Sequence, residues 1–315
     1  MNIASVFIRK IHSGTRLLVL YLHKVYNTFV FIFKPNNKYI LLNSWINLYN
    51  DKLIHNNWGD DINYYFLKDI TEKHIFNLSN IIKLFIPSSE TNYLVIGSII
   101  ESHCNHNSII WGSGAMGGIH ELKAVPKQVL AVRGPLTRDF LLSKGIECPE
   151  VYGDPALLIS KYYRPLVDKK FKVGIIPHYV DLDNPNVKRL KQQYPNDINI
   201  INLKRFDDWH EVIDKICECE FILSSSLHGL IISDSYDIPN LWVKFSDKIG
   251  GGDFKYLDYF KSVNRITNTS VDANTFVNLE EILKYKNNWQ PIMINLQPLI
   301  DSCPFNKIKC DFKNE

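Results

Sequence analysis

The sequence predicts an α/β protein built as two doubly wound domains that face each other across a cleft. Three observations predict it. Apolar runs of strand length recur and stop abruptly at glycine or polar turns, as in Tyr93-Leu94-Val95-Ile96-Gly97-Ser98 and Phe221-Ile222-Leu223-Ser224. Helical patterns alternate with these runs on both sides of a charged segment, 161–170, which contains Pro165 and reads as a linker. The chain has 315 residues, 45% hydrophobic and 22% charged, enough for two ordinary cores. The expected organisation is a basic apolar segment at 1–38, a first α/β domain at 39–160, a second at 161–287, and a helical tail at 288–315 that returns to the first domain.

The net charge of +3 is unevenly distributed. Residues 1–50 hold six basic side chains (Arg9, Lys10, Arg16, Lys24, Lys34, Lys38) and no acid, so the rest of the chain is net −3. The apolar runs 17–22 and 29–33 are split by His23, Lys24 and Asn27, too interrupted for a span of about 20 apolar residues. No small-residue cleavage site follows, which argues against a secretory signal. The segment suits an anionic membrane surface, or equally a first helix packed on the body. Nothing in the charge pattern suggests nucleic acid. Six cysteines in a chain this long form no disulfide framework; Cys217 and Cys219 would not share a helix face, and Cys303 and Cys310 are isolated. Free thiols and a cytoplasmic location follow as the expectation. No His/Cys cluster has metal-ligand spacing, so neither a metal nor a cofactor is expected.

Taken in order, 45–49 reads as a short strand, followed by Asn57-Trp58-Gly59-Asp60-Asp61 at the start of a helix over 62–70. Strands at 93–98 and 108–111 come next, and the second runs into Gly112-Ser113-Gly114-Ala115-Met116-Gly117-Gly118. A glycine turn at a strand's carboxyl end is where open α/β sheets bind ligands. It lacks the helix that a dinucleotide fingerprint requires. A strand at 129–132 ends in Arg133-Gly134-Pro135, and the helix after it closes at Lys144-Gly145. Arg133 at a strand end suits a bidentate contact to phosphate or carboxylate. Asp154, in Tyr152-Gly153-Asp154-Pro155-Ala156, is either a turn residue or an acid in the site.

Beyond the linker the pattern restarts with a strand at 171–176 and the turn Pro177-His178-Tyr179, then a strand at 198–202 and a helix at 209–217. Residues 220–245 then read as strand, Ser224-Ser225-Ser226 turn, helix and strand. His228 stands at that helix's N-terminus, where N–H groups and the helix dipole favour an anion. Ser226 acting only as a cap, with His228 a satisfied surface residue, is an equal alternative. Gly250-Gly251-Gly252-Asp253 is a flexible turn before a helix at 256–263, and the tail at 279–299 reads as helical, broken at Pro291.

Six of these motifs, in order, resemble the polysaccharide pyruvyl transferases. They are Asn57-Trp58-Gly59-Asp60, Ile109-Ile110-Trp111-Gly112-Ser113-Gly114, Arg133-Gly134-Pro135-Leu136-Thr137-Arg138, Tyr152-Gly153-Asp154-Pro155-Ala156, Ile176-Pro177-His178 and Ser224-Ser225-Ser226-Leu227-His228-Gly229. The resemblance implies two Rossmann-like domains arranged as in GT-B glycosyltransferases, and transfer of pyruvate from phosphoenolpyruvate to a sugar, usually as a cyclic ketal. It marks Leu227 and His228 as functionally important. Some members carry Arg where this chain has Ser226, which leaves the holder of the donor's anionic groups open between Arg133 and His178.

Phosphoenolpyruvate chemistry suits these residues. His228 is the candidate general acid for the methylene carbon, and Asp60 or Asp154 the candidate base for the sugar hydroxyls. Arg133 and the Ser224–Ser226 turn would hold the donor, with Asn57, Gly59, His178, Leu227, Gly112, Ser113 and Gly114 lining the site. The expected partners are the donor, a glycan or lipid-linked glycan acceptor, and the inner face of a membrane. The competing readings are a glycosyltransferase using a nucleotide sugar and an inactive glycan-binding protein.

Overall fold

The structure, a computed structural model, describes residues 3–49, 52–54, 57–117, 121–267 and 269–305, with backbone alone for 3–17, 49 and 52. Gly118 and Cys310, singled out in the sequence, lie outside these residues.

Helix α1 (Ile3–Phe33) leads to strand β1 (Tyr39–Leu42) and a small antiparallel hairpin, β2 (Leu48–Tyr49) with β3 (Lys52–Leu53). Helix α2 (Trp58–Thr71), β4 (His74–Asn77), β5 (Asn92–Leu94), α3 (Ile100–His103), β6 (Ser108–Trp111), β7 (Gln128–Ala131) and α4 (Pro135–Ser143) complete the first half. Its sheet is parallel, in the order β4-β1-β5-β6-β7. The second half contains β8 (Val173–Ile176), α5 (Pro185–Gln193), β9 (Ile198–Ile200), α6 (Trp209–Cys217), β10 (Ile222–Ser224), α7 (Leu227–Ser235), β11 (Asn240–Lys244), α8 (Phe254–Ser262) and β12 (Val271–Asp272). Its parallel sheet runs β12-β11-β10-β8-β9. Helices α9 (Leu279–Lys284) and α10 (Gln297–Asp301) end the described chain.

Both sheets are covered on both faces, which is why their strands read as continuous apolar runs. Ile40 and Leu42 of β1 enter the central core while Tyr39 and Leu41 enter a second cluster with Phe31 of α1. In the second sheet Ile176, Ile222 and Trp242 join the central core, and Val173, Ile175, Leu223 and Val243 pack on the other side. The central core thus runs through both halves. Helix α8 crosses back onto α4, where the Asp258 carboxylate accepts from the backbone N–H of Thr137 at 2.8 Å and from its hydroxyl at 2.7 Å. Near the C-terminus the Leu299 carbonyl accepts from the Trp111 indole at 2.9 Å, and Phe305 packs edge-on against Tyr93 and Trp111.

Several elements differ from expectation. The strand expected at 45–49 shrinks to Leu48–Tyr49 in the hairpin, and the edge-central strand is the fully buried Tyr39–Leu42 instead. Strand β4 and helix α5 carry no strong pattern and were not anticipated. The tail is helical only over Leu279–Lys284 and Gln297–Asp301, with a 3-10 turn at Tyr285–Asn288 and irregular chain around Pro291, whose ring forbids helix on its N-terminal side.

Candidate active site

Loops at the carboxyl ends of both sheets line one cavity of about 410 Å³. The first half contributes Trp45 after β1, Asn57 and Asp60 at the start of α2, Ser98 and Ile99 after β5, and Met116 from the glycine turn after β6. The second contributes His178 and Tyr179 after β8, Lys204 after β9, Ser226, Leu227 and His228 at the β10–α7 junction, and Lys255 at the start of α8.

His228 projects from the first turn of α7 with its Nε2 shielded and without a hydrogen-bond partner. Burial, reinforced by the cations Arg133 and Lys255 and by His178, lowers its pKa to about 3, so the imidazole is neutral at pH 7. Ser226 occupies the N-cap position with no side-chain cap bond, which leaves first-turn N–H groups of α7 for an anion. Ser224 and Ser225 are wholly buried and act from behind. The Ser224 hydroxyl accepts from Ser226 N–H at 3.1 Å. The Ser225 hydroxyl accepts from His178 N–H at 2.8 Å, and the Ser225 carbonyl accepts from the Tyr256 hydroxyl at 2.7 Å. These bonds fix the β8 turn, the β10 turn and α8 relative to one another.

His178 is also held neutral, its pKa lowered to about 4 by burial and by Lys255. Asp60 accepts a hydrogen bond from Asn57 Nδ2 at 3.0 Å. Burial raises the Asp60 carboxyl to about 6, against the opposing pull of Asn57 and Lys255. Lys255 is 8% exposed, and burial with the nearby Arg133 lowers its pKa to about 8, against the opposing pull of Asp60. The cavity therefore holds an acid pushed up, an amine pushed down and two imidazoles held below their ordinary value, and such perturbed groups are common where protons move.

Arg133 stands elsewhere than the sequence suggests. Its guanidinium is fully buried beneath the cavity, donating to Asp258 at 2.9 Å, to the Ala115 carbonyl at 2.7 Å and to the Ser98 hydroxyl. It does not line the cavity; it supplies positive field and holds Ser98 in the wall. Gly114 packs against that guanidinium, and Gly112 (φ +86°) lies under Pro155 where a Cβ would be 2.2 Å from Cδ. Ser113 is buried with them. Asp154 is buried outside the cavity lining as well, and its carboxylate accepts from Ala156 N–H at 3.0 Å to start a 3-10 turn. Burial raises it to about 7.

Of the residues singled out in the sequence, Asn57, Asp60, His178, Ser226, Leu227 and His228 line the cavity, and Gly59 lies under the His228 ring. Arg133, Asp154, Gly112, Ser113 and Gly114 form its support. Sequence reasoning missed Lys255, Lys204, Trp45 and Tyr179, and also Ser98, Ile99 and Met116. The one available signal for Lys255 was its place just after the Gly250–Asp253 turn, which reads as flexible until α8 is seen crossing between the halves. Among the described residues no cluster of His, Cys, Asp or Glu could hold a metal ion.

A family model described as polysaccharide pyruvyl transferase matches residues 16–247, which include every cavity-lining residue except Lys255. The uncharacterized protein L143 of Acanthamoeba polyphaga mimivirus is 28% identical over 245 residues, 70% of this chain and 83% of that protein. The succinoglycan biosynthesis protein ExoV of Rhizobium meliloti (strain 1021) is 24% identical over 225 residues, 66% of this chain and 62% of that protein. No solved structure matches significantly. With most of its length matched, and with both halves of the cavity inside the match, the chain belongs to the polysaccharide pyruvyl transferase family.

Proposed function

We propose that the protein transfers pyruvate from phosphoenolpyruvate to two hydroxyls of a sugar in a surface polysaccharide or its lipid-linked precursor. The single observation that carries this is the convergence of two imidazoles, one carboxyl and two amines from both halves in one cavity beside the open N-terminus of α7. Family membership supports it, and so do two parallel sheets whose carboxyl-end loops share the cavity.

In the proposed reaction the enol phosphate carbon C2 forms bonds to two sugar oxygens. The methylene carbon gains a proton and becomes methyl, and the C2–O bond to phosphate breaks. One hydroxyl proton is thus accounted for by the new methyl group and the other leaves on phosphate. Lys255 and the α7 N–H groups hold the donor's phosphate and carboxylate. His228 delivers the proton to the methylene carbon, and Asp60 takes protons from the hydroxyls. Because His228 is held neutral by burial and its cationic neighbours, it must acquire its proton as the donor's negative charge arrives. The exposed rings of Trp45 (56%) and Tyr179 (46%) at the cavity offer faces for a sugar. We place the protein in the cytoplasm, peripheral on the inner face of the membrane, a location supported by the outward apolar side of α1.

The test is incubation with phosphoenolpyruvate and a panel of glycans, following released phosphate and the mass of the product. A glycan gaining a pyruvate ketal supports the reading. Turnover of a nucleotide sugar with phosphoenolpyruvate ignored would replace it with glycosyl transfer.

A further inference from the structure

We propose that α1 docks the protein on an anionic lipid surface, lying along the headgroups with its outward apolar side in the acyl boundary. The inference deepens, and rests on, the peripheral location given above; it does not depend on the chemistry in the cavity.

Helix α1 is built inside out. Two polar residues, Asn27 and Thr28, each 3% exposed, face the body together with Phe31. Asn27 Nδ2 donates to the Leu48 carbonyl at 3.4 Å, and Ile82 N–H donates to the Thr28 hydroxyl at 2.9 Å. Phe31 packs edge-on against Phe76 with ring centroids 5.4 Å apart. On the other side, ten large apolar side chains between Leu18 and Phe33 are exposed, among them Tyr21 (59%), Phe29 (61%) and Phe33 (71%). From Leu18 to Leu22 every residue is exposed, so there the helix stands clear of the body. A surface helix in water carries the reverse pattern, and a contiguous apolar face of this kind marks an interaction site.

Charge selects the occupant. The first 50 residues carry six basic side chains and no acid. Two copies of such a segment repel, whereas anionic headgroups attract each Lys and Arg. The helix has 31 residues, a length of about 46 Å, yet no described helix is long and apolar enough to cross a membrane. The exposed tyrosines and phenylalanines of 18–33 suit the headgroup boundary.

The full chain is sedimented with vesicles of phosphatidylcholine alone and of phosphatidylcholine mixed equally with phosphatidylglycerol, with no substrate present. The expected result is binding to the mixed vesicles, weakened by salt. The double variant Phe29→Glu with Ile32→Glu should lower the bound fraction about tenfold or more, since it puts two charges where apolar side chains enter lipid. Leu166→Glu, which alters a fully exposed leucine far from α1 in sequence, should bind as the parent does. Circular dichroism checks that the variants keep their fold. Equal binding to both vesicles, equal binding by the double variant, or no binding at all overturns the proposal. So does a concentration-dependent dimer that the double variant dissolves without any vesicle binding, which would give the face to a second copy. Pyruvyl transfer is assayed separately on a water-soluble glycan, so either idea can fail while the other stands.

Discussion

The His228 imidazole of the second half rests on the backbone of Gly59 in the first, so closely that a Cβ on residue 59 would lie 2.1 Å from Nδ1 and 2.7 Å from Cγ. The glycine is required there for space and not for backbone conformation. Seating the ring this way makes its position depend on how the two halves meet. Gly59→Ala should therefore displace the imidazole by the order of an ångström. Turnover should fall about 10²-fold, with a stability loss of about 1–3 kcal/mol from overpacking. The checks are kcat and the denaturant midpoint. A variant with parental values for both would show that the ring is not seated as described.

Lys255 gives a prediction with two signs. Its pKa of about 8 leaves it charged below that pH and neutral above, so donor affinity should be present below and fall as pH rises through about 8. Folding has the opposite dependence. The unfolded chain keeps this proton up to its ordinary value near 10.5, so stability should rise with pH between about 8 and 10.5. Below about 8 the buried charge costs about 3 kcal/mol. Lys255→Met should accordingly raise the neutral-pH melting midpoint and raise the KM for phosphoenolpyruvate about tenfold or more, abolishing its alkaline dependence. A destabilised variant with unchanged KM would contradict both halves of the argument.

Arg133 and Asp258 form a fully buried ion pair that joins the first half to α8. Arg133→Met leaves Asp258 with only its Thr137 donors, which should cost about 3–5 kcal/mol in chemical denaturation. An unaltered midpoint combined with lost donor affinity would put the guanidinium back on the ligand.

How much of this was legible in the sequence depends on how local each signal is. Strands β6, β8 and β10 announce themselves because both faces are largely buried, and the glycine and serine turns after β6 and β10 mark carboxyl ends where the cavity forms. Asn57, Asp60, His178 and His228 all sit at such ends or at helix starts. The role of Arg133 was not legible, because a strand-end arginine looks the same whether it meets a phosphate or an aspartate 125 residues away. Lys255 was hidden for the same reason: its position in the cavity is created by the crossing of α8, a long-range contact that no local pattern encodes. Tyr39–Leu42 was overlooked because it follows directly on an apolar helix that ends at Phe33, with only a short polar break between them.

Asp154 tests the distinction between an acid in the site and one beneath it. Its folded pKa of about 7 exceeds the ordinary 3.8, so the native state binds the proton more tightly and stability should fall as pH rises between those values. One of its oxygens is buried without a hydrogen-bond partner. Asp154→Asn keeps an acceptor for Ala156 N–H and removes the buried charge. The expected outcome is a higher midpoint at pH 8, little change at pH 4, and turnover within a few-fold of the parent. A loss of about 10²-fold or more in turnover with the fold intact would restore Asp154 to the chemistry.

His228 carries the last prediction. With its pKa lowered to about 3 by burial and its cationic neighbours, the imidazole cannot donate a proton at pH 7 until something raises it. The donor brings a phosphate and a carboxylate into a cavity whose cations Lys255 and Arg133 otherwise oppose protonation of the ring. Offsetting those cations should draw a proton onto Nε2, the buried nitrogen that lacks a partner. Binding should therefore take up protons, and affinity should weaken as pH rises. Calorimetric titration with phosphoenolpyruvate near pH 6, in two buffers of different ionisation enthalpy, measures the uptake directly. Asp60 must be separated from this signal, since its pKa of about 6 lies in the same range and an arriving anion raises it too. Asp60→Asn should keep part of the uptake, and His228→Ala should lose that part while its turnover falls about 10²- to 10⁴-fold. Donor affinity of His228→Ala should drop less, because Lys255 and the α7 N–H groups remain. Uptake that persists in His228→Ala and vanishes in Asp60→Asn would give the proton to the carboxyl and leave the imidazole as a hydrogen-bonding wall.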